Sequence, residues 1–230
     1  LRKRVDILDA SRMSAITSGE TSKRVSEYFG DGGPFGYGFV RKLTPVLLSG
    51  NVPFDVATLG IVRIKFKLAR DCNLDVARLV AECDRFRSCH FYPLNEIVYP
   101  IDQKFEISLK PETVAVVNSV PNLIFLQPRK HPTLWAYNAA FIRRVLEDSY
   151  IPAYFESARF WLLDTEALAG GVREMNLVDL QAVAPMSDRE FARRVASLRA
   201  AWRLYLTAPR SKRPRRENNE TGQTDFDFES

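Results

Sequence analysis

The stretch "GIVRIKFKLAR", Gly60 to Arg70, constrains the fold more than any other part of the chain. Val62, Ile64, Phe66 and Leu68 alternate with Arg63, Lys65 and Lys67. In an extended backbone successive side chains point to opposite faces, so this pattern predicts a strand with one apolar and one uniformly cationic side. A strand of that kind belongs in a sheet that covers a core with one face and meets solvent, or a polyanion, with the other.

Further segments read in the same way. "KFEISLKP" alternates through Phe105, Ile107 and Leu109, while "TVAVVNSV" and "NLIFLQP" are continuous apolar runs with the look of strands buried on both sides. "FVRKLTPVLLSG" reads as an extended run closed by Gly50, and 86–92 as a strand. Helices fall between. "NLDVARLVAEC" presents Leu74, Val76, Leu79, Val80 and Cys83 on one face, with Asn73 as its N-cap. After Pro132 the chain turns helical and aromatic through about residue 168, interrupted at Pro152. "VREMNLVDLQAVAP" is a last extended segment. "SDREFARRVASLRAAWRLYL" is the clearest helix: Ser187 and Glu190 form a capping box, and Phe191, Val195, Leu198, Trp202 and Tyr205 line one side.

The sum is a mainly β protein, a jelly-roll-like antiparallel sandwich with inserted helices and a C-terminal amphipathic helix. Residues 1–38 are expected as an N-terminal arm and Gly-rich connector, 39–206 as the β-rich domain, and 207–230 as a disordered tail. "GDGGPFGYGF" lacks the Lys-Ser/Thr of a phosphate loop and reads as a connector. No apolar run reaches the length of a membrane span, so no membrane partner is expected. The start "LRKRVDILDASR" has no signal-peptide core and leads us to expect a fragment or processed product.

Catalytic signatures are missing: two histidines, His90 and His131, no nucleophile motif and no dinucleotide fingerprint. The expectation is a protein that is not an enzyme and uses no cofactor. Cys72, Cys83 and Cys89 with His90 match no zinc spacing, and a strand through 86–92 would turn Cys89 and His90 to opposite faces. The cysteines read as core filler of a protein kept reduced, and no metal site is expected.

Charge therefore carries the functional reading. Net charge is +5; residues 207–230 hold five basic and five acidic side chains, so the excess lies before them. Three features could touch a polyanion: the cationic face Arg63, Lys65 and Lys67, the arginine side of the helix near 187–206, and "PRSKRPRR". In the last, Arg210, Lys212, Arg213, Arg215 and Arg216 form a compact nuclear-import address.

Across 61–94 a strand "VRIKFKLA", a short helix and then "CDRFRSCHFYPL" running into a strand resemble the jelly-roll capsid proteins of small circular single-stranded-DNA (circovirus-like) viruses. Their arginine-rich arm lies at the N-terminus, unlike the basic block here. The resemblance implies a virion structural protein that self-assembles, contacts nucleic acid (single-stranded) without sequence specificity, meets a nuclear import receptor, and occupies virion, host nucleus and cytoplasm. The alternative is a nuclear-targeted viral accessory protein, a movement or host-regulating factor acting through protein–protein binding.

Overall fold

The computed structural model describes residues 3–15, 17–30, 36–129, 135–151, 157–166 and 172–208. Among these the order is β1 (Lys3–Asp6), α1 (Ile7–Met13), α2 (Ser18–Gly30), α3 (Gly38–Ser49), α4 (Phe54–Ala57), α5 (Leu59–Val62), α6 (Lys67–Ala81), β2 (His90–Tyr92), β3 (Ile97–Asp102), β4 (Phe105–Leu109), β5 (Thr113–Val117), β6 (Val120–Gln127), α7 (Trp135–Tyr150), β7 (Arg159–Asp164), β8 (Asn176–Asp179) and α8 (Asp188–Thr207). Helices outweigh strands, and both sheets are mixed, so the antiparallel jelly roll expected from the sequence is not the fold.

The larger sheet runs β2-β5-β6-β7-β8, with β6 and β7 parallel and the other pairs antiparallel. Asn118 and Ser119 both have positive φ, +49° and +65°, the two-residue primed turn that matches strand twist and closes the β5–β6 hairpin. The β6–β7 connection crosses over through α7, as a parallel pair requires. Alternation then sorts side chains into two cores. Val114, Leu123, Phe125, Phe160 and Leu162 face one, and Ala115, Ile124, Leu126, Trp161 and Leu163 face the other. The expectation of strands buried on both sides holds for β5 and β6.

The first core lies against α1, α7, α8 and the smaller sheet β1-β4-β3. Here Tyr150 donates from its hydroxyl to the Leu109 carbonyl at 2.8 Å, tying α7 to β4. Trp202 of α8 stacks on Phe105 of β4 at 5.1 Å, and Phe29 of α2 lies against both. Ser187 caps the helix, its Oγ accepting from the Glu190 amide, and Phe191, Leu198 and Trp202 are buried as the helical spacing requires. Residues 3–30 are no arm: β1 pairs in parallel with β4, and Val5, Ile7, Leu8, Ala10 and Val25 are core.

The second core holds α3 to α6. The extended run expected at 39–50 is α3, which continues through Pro45 and buries Val40, Thr44, Leu47 and Leu48 on one side. It stops at Gly50, whose φ of +65° is the left-handed conformation that favours glycine. Asn73 caps no helix of its own. It sits inside α6, fully buried, and its Oδ1 accepts from the Val40 amide in the first turn of α3, a turn that the N-cap Tyr37 does not cap with its side chain. Its Nδ2 donates to the Ala69 carbonyl at 2.8 Å. The stretch 86–92 is a strand only over its last three residues. Finally, "RFWLLD", expected within a helical region, is β7.

Candidate nucleic-acid interface

The strand expected at 60–70 is two helix ends and a turn. Val62 closes α5, Arg63 to Phe66 form the turn, and Lys67 opens α6. A sheet has no place for this segment because three of its four alternating apolar residues do not face a core: Ile64 packs against the second core, but Val62, Phe66 and Leu68 are each about half exposed (52%, 48% and 52%). Arg63, Lys65 and Lys67 are exposed too, so the three cations stay together on a surface corner instead of lining one side of a strand. None forms an ion pair among the described residues.

The corner is shaped by the start of α6. Phe66 occupies the N-cap and provides no side-chain bond, and no acidic residue lies in the first turn. A fifteen-residue helix thus begins with free amides and the positive end of its dipole, flanked by Lys65 and Lys67. Beside it, Phe39 in the first turn of α3 is 43% exposed and lies over Gly60, where an added Cβ would come within 3.9 Å of its ring. Leu59 and Val56 extend the apolar surface. The arrangement is cations and helix amides for anionic groups, with aromatic and aliphatic surface between them.

The other expected contacts are distributed differently. Arg210, Lys212, Arg213, Arg215 and Arg216 lie outside the described residues, as does His131. On α8 the arginines are largely engaged in holding the helix down. Arg203 pairs with Asp102 at 2.7 Å, Arg199 donates to the Ile101 carbonyl at 2.8 Å, and Arg194 is buried. Arg194 has no carboxylate partner among the described residues. Its guanidinium donates to the carbonyls of Tyr137, Ser11 and Ser14, and it lies 4.0 Å from the Tyr137 ring centroid. The Ser11 and Ser14 carbonyls belong to the C-terminal end of α1, the negative end of that helix. Burial lowers its pKa to about 10. Cys83 packs in the second core, Cys72 is buried on α6 and Cys89 is half-buried against the second core, with His90 exposed. No group of three metal-ligating side chains occurs among the described residues.

Sequence reasoning missed a set of buried charges at one end of the larger sheet. Asp6 accepts from the Leu8 amide and pairs with Arg41 at 2.7 Å. Arg41 reaches Glu112 at 3.5 Å, and Glu112 accepts from the Leu126 amide at 2.9 Å. Asp9 pairs with Arg129 at 2.8 Å. Burial pushes Glu112 up to about 8 despite Arg41. These pairs join β1, α1, α3, β5 and the end of β6, and every carboxylate has an arginine. Asp164, the last residue of β7, has none. It is fully buried, no side chain among the described residues donates to either oxygen, and burial with the nearby Glu166 carboxylate pushes its pKa up to about 7 against the Glu166 amide and Arg173. Such connections between distant segments leave no trace in local spacing, though an acidic residue closing the apolar run "RFWLLD" was a usable hint.

No protein-family model and no curated protein matches this chain.

Proposed function

We propose that the protein binds single-stranded nucleic acid without sequence preference at the α5–α6 corner, and that it acts by binding and not by catalysis. The observation that carries this reading is the uncapped, acid-free start of α6 with Arg63, Lys65 and Lys67 around it and the half-exposed Phe66 ring among them. Free amides at a helix N-terminus and unpaired cations suit phosphates of any sequence. Exposed aromatic rings give bases a surface on which to stack, which is how single strands are held without base-specific hydrogen bonds. Shell assembly, implied by the resemblance to capsid proteins, has lost the jelly roll that supported it and is no part of the proposal. The nuclear-address reading of Arg210 to Arg216 rests on the sequence alone.

The test is fluorescence anisotropy of a labelled oligo(dT) titrated with the full chain over a salt series. Binding should weaken with salt, with a log–log slope near −2 for about three phosphate contacts to a single strand. The Arg63→Glu/Lys65→Glu/Lys67→Glu variant should lose binding while keeping its melting temperature, because all three side chains are exposed. Unchanged affinity in that variant would refute the reading.

A second reading, a docking surface for a protein partner, is favoured by the exposed Val56, Leu59, Val62 and Leu68. Its signature is binding that survives high salt and is lost on Leu59→Asp/Val62→Asp.

A further inference from the structure

The corner's combination of cations and exposed apolar side chains has a complement within the same chain. Residues 217–230, "ENNETGQTDFDFES", carry five carboxylates and no cation. Acid and aromatic alternate in Asp225-Phe226-Asp227-Phe228-Glu229. Along an extended backbone such alternation directs the two rings to one side and the three carboxylates to the other.

We propose that this acidic–aromatic segment docks on the α5–α6 corner and competes there with nucleic acid, so that the protein regulates its own binding surface. The inference rests on the nucleic-acid reading for its consequence but not for the docking itself. Two arguments identify the occupant. The first is chemical complementarity. Arg63, Lys65, Lys67 and the α6 amides face carboxylates as readily as phosphates, and Phe39, Val62, Phe66 and Leu68 offer rings the surface they would offer bases. The segment thus presents the two chemical elements of a single strand, anionic groups and flat rings.

The second argument is reach. The last described residue is Ala208, seventeen residues before Asp225. Their contour spans at most about 58 Å at roughly 3.4 Å per residue. A folded body of about 200 residues has a radius of gyration near 17 Å, and so a diameter of about 43 Å. Running over the surface, where half the circumference is about 68 Å, the tether reaches all but the region opposite Ala208. Docking is also selective within the tail, since the basic block at 210–216 is repelled by the corner and only the acidic half fits it.

A tethered competitor acts at an effective concentration in the millimolar range, so a segment whose dissociation constant is two to four times below that concentration lowers apparent nucleic-acid affinity roughly three- to fivefold. The full chain carrying Asp225→Asn/Asp227→Asn/Glu229→Gln should therefore bind labelled oligo(dT) about that much more tightly than the parent. Phe226→Ser/Phe228→Ser, which leaves net charge unchanged, should also tighten binding, which a bulk charge effect would not do. Independently of nucleic acid, a labelled peptide of residues 217–230 should bind the charge-neutralised full chain at low salt. It should fail to bind the same chain carrying Arg63→Glu/Lys65→Glu/Lys67→Glu. Peptide binding without oligo(dT) binding would uphold the docking and refute the nucleic-acid reading. Peptide that does not bind, or binds equally to the charge-reversed corner, overturns the docking whatever the oligonucleotide does.

Discussion

Replacing Asp164 by asparagine should flatten the dependence of folding stability on pH. In the parent the carboxyl is pushed from its usual 3.8 to about 7, because burial and the nearby Glu166 carboxylate outweigh the Glu166 amide and the Arg173 charge. Between those values the folded chain holds a proton that the unfolded chain has released. Stability from this group is therefore full below about pH 4 and falls as pH rises to about 7. The interval is worth roughly 4 kcal/mol at 1.36 kcal/mol per pH unit, and about 2–3 kcal/mol of it lies between pH 5 and pH 8. Asparagine has no proton to lose. Its buried NH2 needs acceptors, which costs about 1–3 kcal/mol at every pH alike, so the slope and not the absolute stability is diagnostic. Glu112, pushed up to about 8, adds a loss of the same sign to both proteins and cancels in the difference. Urea unfolding at pH 5, 6, 7 and 8 should show Asp164→Asn gaining about 2–3 kcal/mol on the parent across the series, a shift of roughly 5–10 °C in relative melting temperature. Parallel curves would mean that Asp164 is ionised and partnered in the folded protein, and the reasoning would fail.

Arg194→Met keeps the volume of the buried side chain but leaves the carbonyls of Tyr137, Ser11 and Ser14 without their donor, and should cost about 2–4 kcal/mol in urea unfolding. A loss below 0.5 kcal/mol would show that the clamp is dispensable. Among the thiols, Cys72 and Cys83 are buried and Cys89 is half-buried, so a thiol reagent should modify one group quickly and two only at the rate of opening. Mass spectrometry of the early product should find the label on Cys89.

The parts of the fold that could be read from sequence are those whose pattern is repeated by burial. In β4, Phe105, Ile107 and Leu109 alternate and are core, and the spacing of Phe191, Leu198 and Trp202 gives both α8 and its buried side. The segment 60–70 misled because all but Ile64 of its alternating apolar residues are exposed: periodicity reports a core face only where there is a core. In α3 the spacing of Val40, Thr44, Leu47 and Leu48 is helical, but Pro45 conceals it, since proline in a helix interior is disfavoured and tolerated here by packing. "RFWLLD" is apolar at both parities because β7 is covered on both faces, and a short run of that kind fits helix or strand equally. For the candidate site, residue identity and exposure of Arg63, Lys65 and Lys67 were legible, whereas their setting at a helix start was not. Asn73 shows the same limit, being a capping residue by type that caps a neighbouring helix.

The parallel pairing of β1 with β4 joins residues 3–6 to residues 105–108, and α2 packs chiefly on α8, at the other extreme of the described chain. On the ribosome these segments lack their partners until β4 and α8 have been made. Val5, Ile7 and Val25 must wait, exposed, until Phe105 and finally Trp202 have emerged. Closing such long loops before any contact rewards them makes folding slow and leaves the nascent chain open to aggregation. The stretch of biogenesis before α8 appears is thus when this protein most depends on a chaperone.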